Sequence, residues 1–393
     1  MARNIAVGVT GGIAAYKTCE LVSRFKKSGY DVNVIMTDAA KEFVAPLTFE
    51  TLSKNRVITG MFEKNYEYDV KHISVAEAAD VFLVCPATAN IVGKVANGIA
   101  DDFLSTTIMA TKAPVIFALA MNTNMYENPI FRENVSKLKK LGYKFVDAES
   151  GLLACGSTGK GRLADLDEIY EAVEECFYKK DLCGKNVLVS AGPTTEDIDP
   201  VRYITNHSSG KMGYEIARAA KYRGADVTLV SGPVNIKAPG GVNVINVNSA
   251  RDMFKSITEN FEKSDIVIKA AAVADYRPES KSDEKIKKSN GGMEIKLVRN
   301  PDILKEIGSK KTNQFLVGFC METSDLIDNA KKKLSSKNLD MIVANSLKTE
   351  GAGFKSDTNV GIIIEKNGAV TECEKMSKFD LANVILDKIA EQI

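Results

Sequence analysis

Two glycine turns and a handful of polar side chains are the residues of this chain that could do chemistry. The first turn, "GVTGGIAAYK" (8–17), follows a short apolar run; the second, "NHSSGKMG" (206–213), combines two hydroxyls, two glycines and a lysine. A glycine turn that opens a helix lets backbone N–H groups approach a phosphate closely. Neither turn has the spacing of a standard nucleotide fingerprint: the first reads G-x-x-G-G, and in the second Thr205 stands where a Walker motif needs its first glycine. Taken alone, each is equally well read as a tight strand-to-helix turn. Of the two histidines, His72 precedes a helix-like stretch and His207 lies inside the second turn. Taken alone, His72 is an ordinary surface or capping histidine, Cys155 a packed thiol and Asn122 a turn asparagine. Lys333 and Lys337, four apart, share a helix face, as a phosphate site requires and a solvated face also permits.

These groups need a scaffold, and the 393 residues, 45% of them apolar, suffice for two cores, since one core stops growing at roughly 250–300 residues. Lys plus Arg (52) nearly balances Asp plus Glu (51), which argues against nucleic acid or an anionic membrane as the main partner. Seven scattered cysteines contain no C-x-x-C pair, so neither a disulfide framework nor a zinc site follows. The longest apolar run, "APVIFALAM" (113–121), is far shorter than a membrane span. The expectation is a soluble protein of a reducing compartment, the cytoplasm.

Strand-length apolar runs at 5–9, 31–37, 81–87, 114–120 and 144–148 alternate with helix-like segments, the first of which stops at Gly29. The pattern restarts after the turn at 181–186: "NVLVSAGPT" (186–194) echoes "NIAVGVTGG" (4–12), and "GADVTLVSGP" (224–233) echoes "GYDVNVIMTD" (29–38). Such alternation predicts an α/β protein of two doubly wound, mainly parallel-sheet, Rossmann-like domains, residues 1–182 and 183–393, with ligands at the carboxyl ends of the strands.

Longer motifs add a resemblance. "CPATANIVGKVANGIADDFLSTT" (85–107), "AMNTNMYENP" (120–129) and "GLLACGSTGKGRLAD" (151–165) are similar to the homo-oligomeric flavin-containing cysteine decarboxylases, with Thr88, Ile91, Leu119 and Tyr126 departing from that family's usual residues. The resemblance implies FMN against Gly11, Gly12, Ile13 and Thr37, its ring near Thr88 and its phosphate near Ser105. It also implies His72 for the proton of a thiol oxidation, Asn122 for the substrate carboxylate, and Cys155 as the acid of the final reduction. Flavin suits this chemistry because oxidising the thiol to a thioaldehyde creates a sink for the electrons left by CO₂.

The second half resembles the phosphopantothenate–cysteine ligases through "SAGPTTEDIDPVRYITNHSSGKMG" (190–213), "AAAVADYRP" (270–278), "KIKK" (285–288), "NPDIL" (300–304), "VGF" (317–319) and "KKKLSSKNLDMIVAN" (331–345). By that resemblance CTP contacts Ala271, Ala272, Asp275, Lys285, Pro301, Asp302, Ile303, Leu304, Phe319, Lys333 and Lys337, while Asn206 and Lys285 serve an acyl-cytidylate. Mg²⁺ is expected mainly on the triphosphate, with its protein ligands unassigned. The whole chain resembles the fused enzymes of coenzyme A synthesis, which implies small-molecule substrates (4′-phosphopantothenate, cysteine, CTP). It also implies a homo-oligomer, decarboxylase trimers joined by ligase dimers and possibly a dodecamer. The alternatives are a flavin-binding regulatory subunit without turnover and a pyridine-nucleotide oxidoreductase. The first predicts loss of His72, Asn122 or Cys155, or an acidic tail; the second predicts G-x-G-x-x-G in either turn. The sequence shows none of these features.

Overall fold

The computed structural model describes residues 3–61, 70–154, 156, 158–287, 293–322, 325–346 and 356–393. They form two compact units, Met1–Tyr178 and Lys179–Ile393, divided just before the turn at 181–186.

In the first unit the strands are β1 (Asn4–Val9), β2 (Asp31–Met36), β3 (Val81–Ala87), β4 (Val115–Leu119), β5 (Lys144–Val146), β6 (Glu149–Leu152) and β7 (Thr158–Arg162). The helices are α1 (Ala15–Lys27), α2 (Asp38–Lys41), α3 (Pro46–Ser53), α4 (Lys71–Ala78), α5 (Ala89–Ala96), α6 (Phe103–Ala110), α7 (Thr123–Glu127), α8 (Pro129–Lys140) and α9 (Leu166–Glu175). Strands β1 to β5 pair in parallel in the order β2-β1-β3-β4-β5, and β6 and β7 make an antiparallel hairpin. Every residue of β3 is buried, as a central parallel strand covered on both faces must be. Ile5, Val7 and Val9 face one core with α1; Ala6, Phe82, Val84 and Phe117 face the other with α5 and α6.

The second unit has strands β8 (Asn186–Ala191), β9 (Thr195–Asp197), β10 (Tyr203–Thr205), β11 (Asp226–Ser231), β12 (Asn243–Asn246), β13 (Ile266–Lys269), β14 (Tyr276–Pro278), β15 (Leu297–Arg299), β16 (Phe315–Glu322), β17 (Met341–Ser346), β18 (Thr358–Glu365) and β19 (Val370–Ser377). Its helices are α10 (Lys211–Tyr222), α11 (Ala250–Phe261), α12 (Ile303–Lys310), α13 (Leu326–Ser336) and α14 (Lys378–Ala390). The main sheet runs β12-β11-β8-β13-β16-β17-β18-β19, parallel as far as β17 and antiparallel beyond it. Helices α10 and α14 cover one face through Tyr214, Ala217, Leu381 and Ile385; α11, α12 and α13 cover the other through Met253, Ile257, Ile307 and Leu334. Arg223, whose side chain is 5% exposed, fastens α14 by donating to Asp387 Oδ1 at 2.7 Å and holds the turn before β8 by donating to Asp181 Oδ2 at 2.6 Å.

The repeated grammar of the sequence has a bonding counterpart. At the start of β1, Asn4 N–H donates to Asp80 Oδ2 at 2.7 Å and Asn4 C=O accepts from Asp80 N–H. At the start of β8, Asn186 and Asp265 make the same exchange, also at 2.7 Å. Each aspartate therefore fixes the first strand against the strand that crosses to its far side. Among the described residues, no helix is long and apolar enough to cross a membrane.

Lys269, the last residue of β13, is 5% exposed, and its ammonium reaches Met253 Sδ at 3.7 Å. Burial pulls its pKa down to about 7, with Asp302 opposing the shift in part. Between that value and the ordinary 10.5 the unfolded chain binds a proton that the folded chain does not, so this group makes stability rise with pH. Urea midpoints of wild type and Lys269→Met at several pH values across that window check this. Wild type should gain more stability with rising pH than the variant, and parallel curves would exclude the linkage.

Candidate active sites

In the order β2-β1-β3 the winding of the sheet reverses between β1 and β3, and the crevice outside such a reversal is where doubly wound sheets hold ligands. A cavity of about 980 Å³ opens there, at the upper end of the roughly 300–1,000 Å³ typical of small-molecule sites. Its lining brings together Gly11, Gly12, Ile13, Thr37, Thr88 and Asn122 from four separate segments, with Met121 and Leu152 also in the wall.

Thr10 ties this wall together, its hydroxyl donating to Pro86 C=O at 2.7 Å and lying 3.2 Å from Thr88 Oγ1. A Cβ on Gly11 would lie 2.4 Å from that of Ala39, so only glycine allows the turn to approach α2 this closely. A Cβ on Gly12 would meet nothing nearer than 3.8 Å, which leaves backbone facing the cavity. Asn122 caps α7, its Oδ1 accepting from Asn124 N–H at 2.9 Å.

Ser105 does not line the cavity. It is buried at the N-terminus of α6 in a capping box with Asp102, which accepts its hydroxyl at 2.9 Å and its N–H at 2.8 Å. Asp102 itself lines the cavity with Asp101 and Lys94, and Lys94 bridges both carboxylates at 2.6 and 2.8 Å. Burial alone would raise the Asp102 carboxyl, but Lys94 and the Ser105 groups outweigh it and hold the carboxyl lowered. The sequence reading gives Lys94, Asp101 and Asp102 no role; the signal available was the D-x-x-S capping pattern at 102–105. His72 sits on α4, edge-on to Phe103 with ring centroids 6.2 Å apart, outside the cavity lining. Cys155 lies outside the described residues. Cys85, in the same motif as Thr88, is fully buried beside Thr18 and its thiol is pushed up to about 12, an inert packing thiol.

In the second unit the reversal falls between β8 and β13, and the segments leaving those strands interlock. Ala272 N–H donates to Gly192 C=O, Ala271 N–H to Ser190 Oγ, and Ala274 N–H to Thr194 Oγ1. Asn206 donates its amide to Ala272 C=O at 3.0 Å and Val273 C=O at 3.2 Å, joining the second glycine turn to the "AAAVAD" segment. Gly210, at φ +80°, starts α10, and a Cβ there would lie 2.8 Å from Val234 Cγ1 and 3.3 Å from Gly192 Cα. His207 is exposed in this turn.

A second group gathers at α12. Asp302 caps that helix, accepting from Lys305 N–H at 2.9 Å and pairing with Lys337, while Lys333 donates to Phe319 C=O at 3.3 Å. Burial would raise the Asp302 carboxyl, but its bond to Lys337 and the nearby charge of Lys333 hold it lowered. Ile303 is buried, and Pro301 and Leu304 are half-buried beside it. Asp275 is exposed, its C=O accepting from Asn300 N–H at 2.8 Å, so the two groups are joined through the backbone. Lys285 is exposed on the segment after β14. No cluster of metal-ligating side chains occurs among the described residues.

The first unit matches the flavoprotein family over residues 1–177, and the second matches the C-terminal domain of DNA/pantothenate metabolism flavoproteins over residues 182–393. Fold and sites thus define a two-site α/β flavoprotein. The coenzyme A biosynthesis bifunctional protein CoaBC of Bacillus subtilis (strain 168) is 49% identical over 99% of this chain and 97% of its own length. Its counterpart from Haemophilus influenzae is 45% identical over 99% and 98%. A crystal structure of the C-terminal domain of a coenzyme A biosynthesis bifunctional protein, 42% identical, covers 54% of this chain and 97% of its own with a TM-score of 0.47. The chain belongs to the family of bifunctional coenzyme A biosynthesis enzymes, which join a flavoprotein decarboxylase to a ligase.

The close packing at Gly210 yields a direct test. Gly210→Ala forces a side chain into a left-handed backbone against Val234 and should destabilise the second unit by about 1–3 kcal/mol. Urea unfolding followed by circular dichroism measures it, and an unchanged midpoint would show that the turn relaxes freely.

Proposed function

We propose that residues 183–393 join 4′-phosphopantothenate to cysteine at the expense of CTP, and that residues 1–182 decarboxylate the 4′-phosphopantothenoylcysteine so formed to 4′-phosphopantetheine. The observation that carries the reading is the cavity at the β1/β3 reversal, which collects the glycine turn, Thr37, Thr88 and Asn122. The backbone left open at Gly12 and the apolar wall of Ile13 and Met121 suit a flat, phosphorylated aromatic group, and FMN fits that donor set.

FMN, which Gly11, Gly12, Ile13, Thr37 and Thr88 would hold, would supply a reversible two-electron sink for the substrate's thiol-bearing carbon. Asn122, at the cavity wall, orients the carboxylate that departs. His72 accepts a proton in the oxidative half and Cys155 delivers one in the reductive half. Since His72 lies outside the cavity lining of its own chain, a homo-oligomer is the arrangement in which it would serve. Exposed Ile13, Tyr16, Met125 and Leu152 around the cavity mouth offer apolar surface for such contacts, as trimers of the first unit would need. Dimers of the second unit would join these trimers, a dodecamer being the closed form.

In the ligation, a carboxylate oxygen attacks the α-phosphorus of CTP and pyrophosphate leaves. The cysteine amine then attacks the acyl carbon, CMP leaves, and the amine loses its proton. Lys285, Lys333 and Lys337 neutralise the triphosphate together with Mg²⁺ carried mainly on the phosphates, and Phe319, Asp275 and the 301–304 segment hold the nucleoside. Asn206 and Lys285 stabilise the acyl-cytidylate. The balanced charge and the small-molecule reactants suit a cytoplasmic protein without nucleic-acid or membrane partners.

The purified protein should be yellow. Cys155→Ser should still release CO₂ but stall before the final reduction, because a hydroxyl is a far weaker acid than a thiol, whereas His72→Asn should block the earlier oxidation. Product analysis by mass spectrometry separates the two, and loss of flavin from both variants would reassign these residues to cofactor packing. Lys285→Gln should abolish pyrophosphate release from CTP and 4′-phosphopantothenate while leaving decarboxylation of supplied 4′-phosphopantothenoylcysteine intact. Normal pyrophosphate release by that variant would remove Lys285 from the reaction.

A further inference from the structure

Segment 279–287, which carries Lys285, is nearly all polar and buries little apolar surface, and at Ile286 its backbone is held by one pair of side chains. Ordering each residue costs backbone entropy. An exposed ion pair such as Lys281–Asp197 offsets little of that cost. Something stronger must fix the segment.

The anchor is Asp199, in the turn between β9 and β10, whose side chain is 0% exposed. Its two carboxylate oxygens have separate tasks. Oδ1 accepts from the N–H groups of Val201 and Arg202, both at 2.8 Å, and so shapes the turn. Oδ2 accepts from Arg202 Nε at 2.9 Å and Nη2 at 2.5 Å, and from Ile286 N–H at 3.2 Å. Arg202 Nη2 in turn donates to Ile286 C=O at 2.8 Å. Both polar groups of the Ile286 peptide backbone are thus gripped, one by the carboxylate and one by the guanidinium, at the residue next to Lys285. A further backbone bond, Ser282 N–H to Ile198 C=O at 3.0 Å, ties the segment to the same turn. The other strand of the hairpin, Tyr203–Thr205, runs straight into Asn206, which is fastened to Ala272 and Val273. Strand β10 is three residues long, so about 10 Å of rigid strand separates the two attachments.

We propose that Asp199 is a positioning residue of the ligation reaction: through Oδ2 and Arg202 it ties the backbone beside Lys285 to the hairpin that ends at Asn206, so that both side chains keep a fixed separation on one frame. The proposal rests on the role given to Lys285 above. The Arg202 guanidinium, together with the turn and Ile286 N–H groups, holds the Asp199 carboxyl well below the usual carboxylate range against the pull of burial, so the clamp stays charged at neutral pH.

Asp199→Asn separates the two tasks of the carboxylate. Its amide oxygen can keep the turn, while its NH₂ faces the donors of Arg202 and Ile286 and releases the segment. In the full-length chain, kcat for pyrophosphate release from CTP and 4′-phosphopantothenate without cysteine should fall at least about tenfold, as misplacement of a reacting group does, with KM for CTP within about threefold. Decarboxylation of supplied 4′-phosphopantothenoylcysteine should not change. Amide exchange at 283–287 should accelerate while α10 stays protected. An Asp199→Asn rate within about twofold of wild type overturns the proposal. If Asp199→Asn exposes α10 to exchange, Arg202→Gln is the deciding variant, since Arg202 is partly exposed and its removal leaves the Oδ1 turn bonds in place. It must show the same kcat-selective loss, and an unchanged kcat overturns the proposal. Normal release by Lys285→Gln overturns the role of that lysine, whereas an impaired Lys285→Gln beside a normal Asp199→Asn overturns the positioning proposal alone.

Discussion

Parallel pairing is the constraint from which both sites follow. Strands that run the same way all end on one edge, and the loops that leave them must turn there without the short hairpins that antiparallel strands use. Where the winding reverses, neighbouring loops part and leave a crevice. In the first unit that crevice falls outside β1 and β3, in the second outside β8 and β13, and each reversal is fixed by one aspartate exchanging bonds with the opening residue of the first strand. The architecture is the same twice, but the loops make different sites of it. The first crevice stays open as a cavity; in the second, Asn206, Ala272 and Thr194 knit the loops together, leaving polar groups at their rim.

The charge patterns diverge in the same way. Around the first cavity Lys94 is already paired with Asp101 and Asp102, while Lys17 and Arg162 also line it. In the second unit Lys337 pairs with Asp302. A triphosphate that recruited Lys337 would therefore compete with a carboxylate, and the affinity seen would be the difference between the two bonds.

Much of this was legible in the sequence, for reasons that differ by element. Central strands such as Val81–Ala87 announce themselves because burial on both faces demands an unbroken apolar run. The glycine turns are visible because only glycine permits the approach of Gly11 to Ala39 or the left-handed backbone at Gly210. Thr88 and Asn122 emerged through motif resemblance and do meet at one cavity. What stayed hidden depends on partners far away in the chain. Ser105 stands in a recognisable motif, yet its hydroxyl is turned to Asp102. Asp199 and Arg202 lie inside a quoted motif, but nothing local tells that their bonds reach Ile286, 84 residues on for Arg202 and 87 for Asp199. The charge of Lys269 is equally silent, since an apolar strand ending in lysine normally presents that lysine to water.

The fastening of α14 carries a consequence for the order in which the molecule comes into being. Arg223 and Asp387 are 164 residues apart, and the core under α10 is closed by Leu381, Ile385 and Ile389. A ribosome adding about 5–20 residues each second exposes that uncovered face for many seconds before the closing helix emerges. The first unit, whose core is closed by α9 at Leu166–Glu175, is complete in the chain before β8 emerges. During synthesis the flavoprotein unit can therefore mature while the other still shows its apolar face to chaperones, and substitutions in α14 would be felt first as poor yield of whole protein.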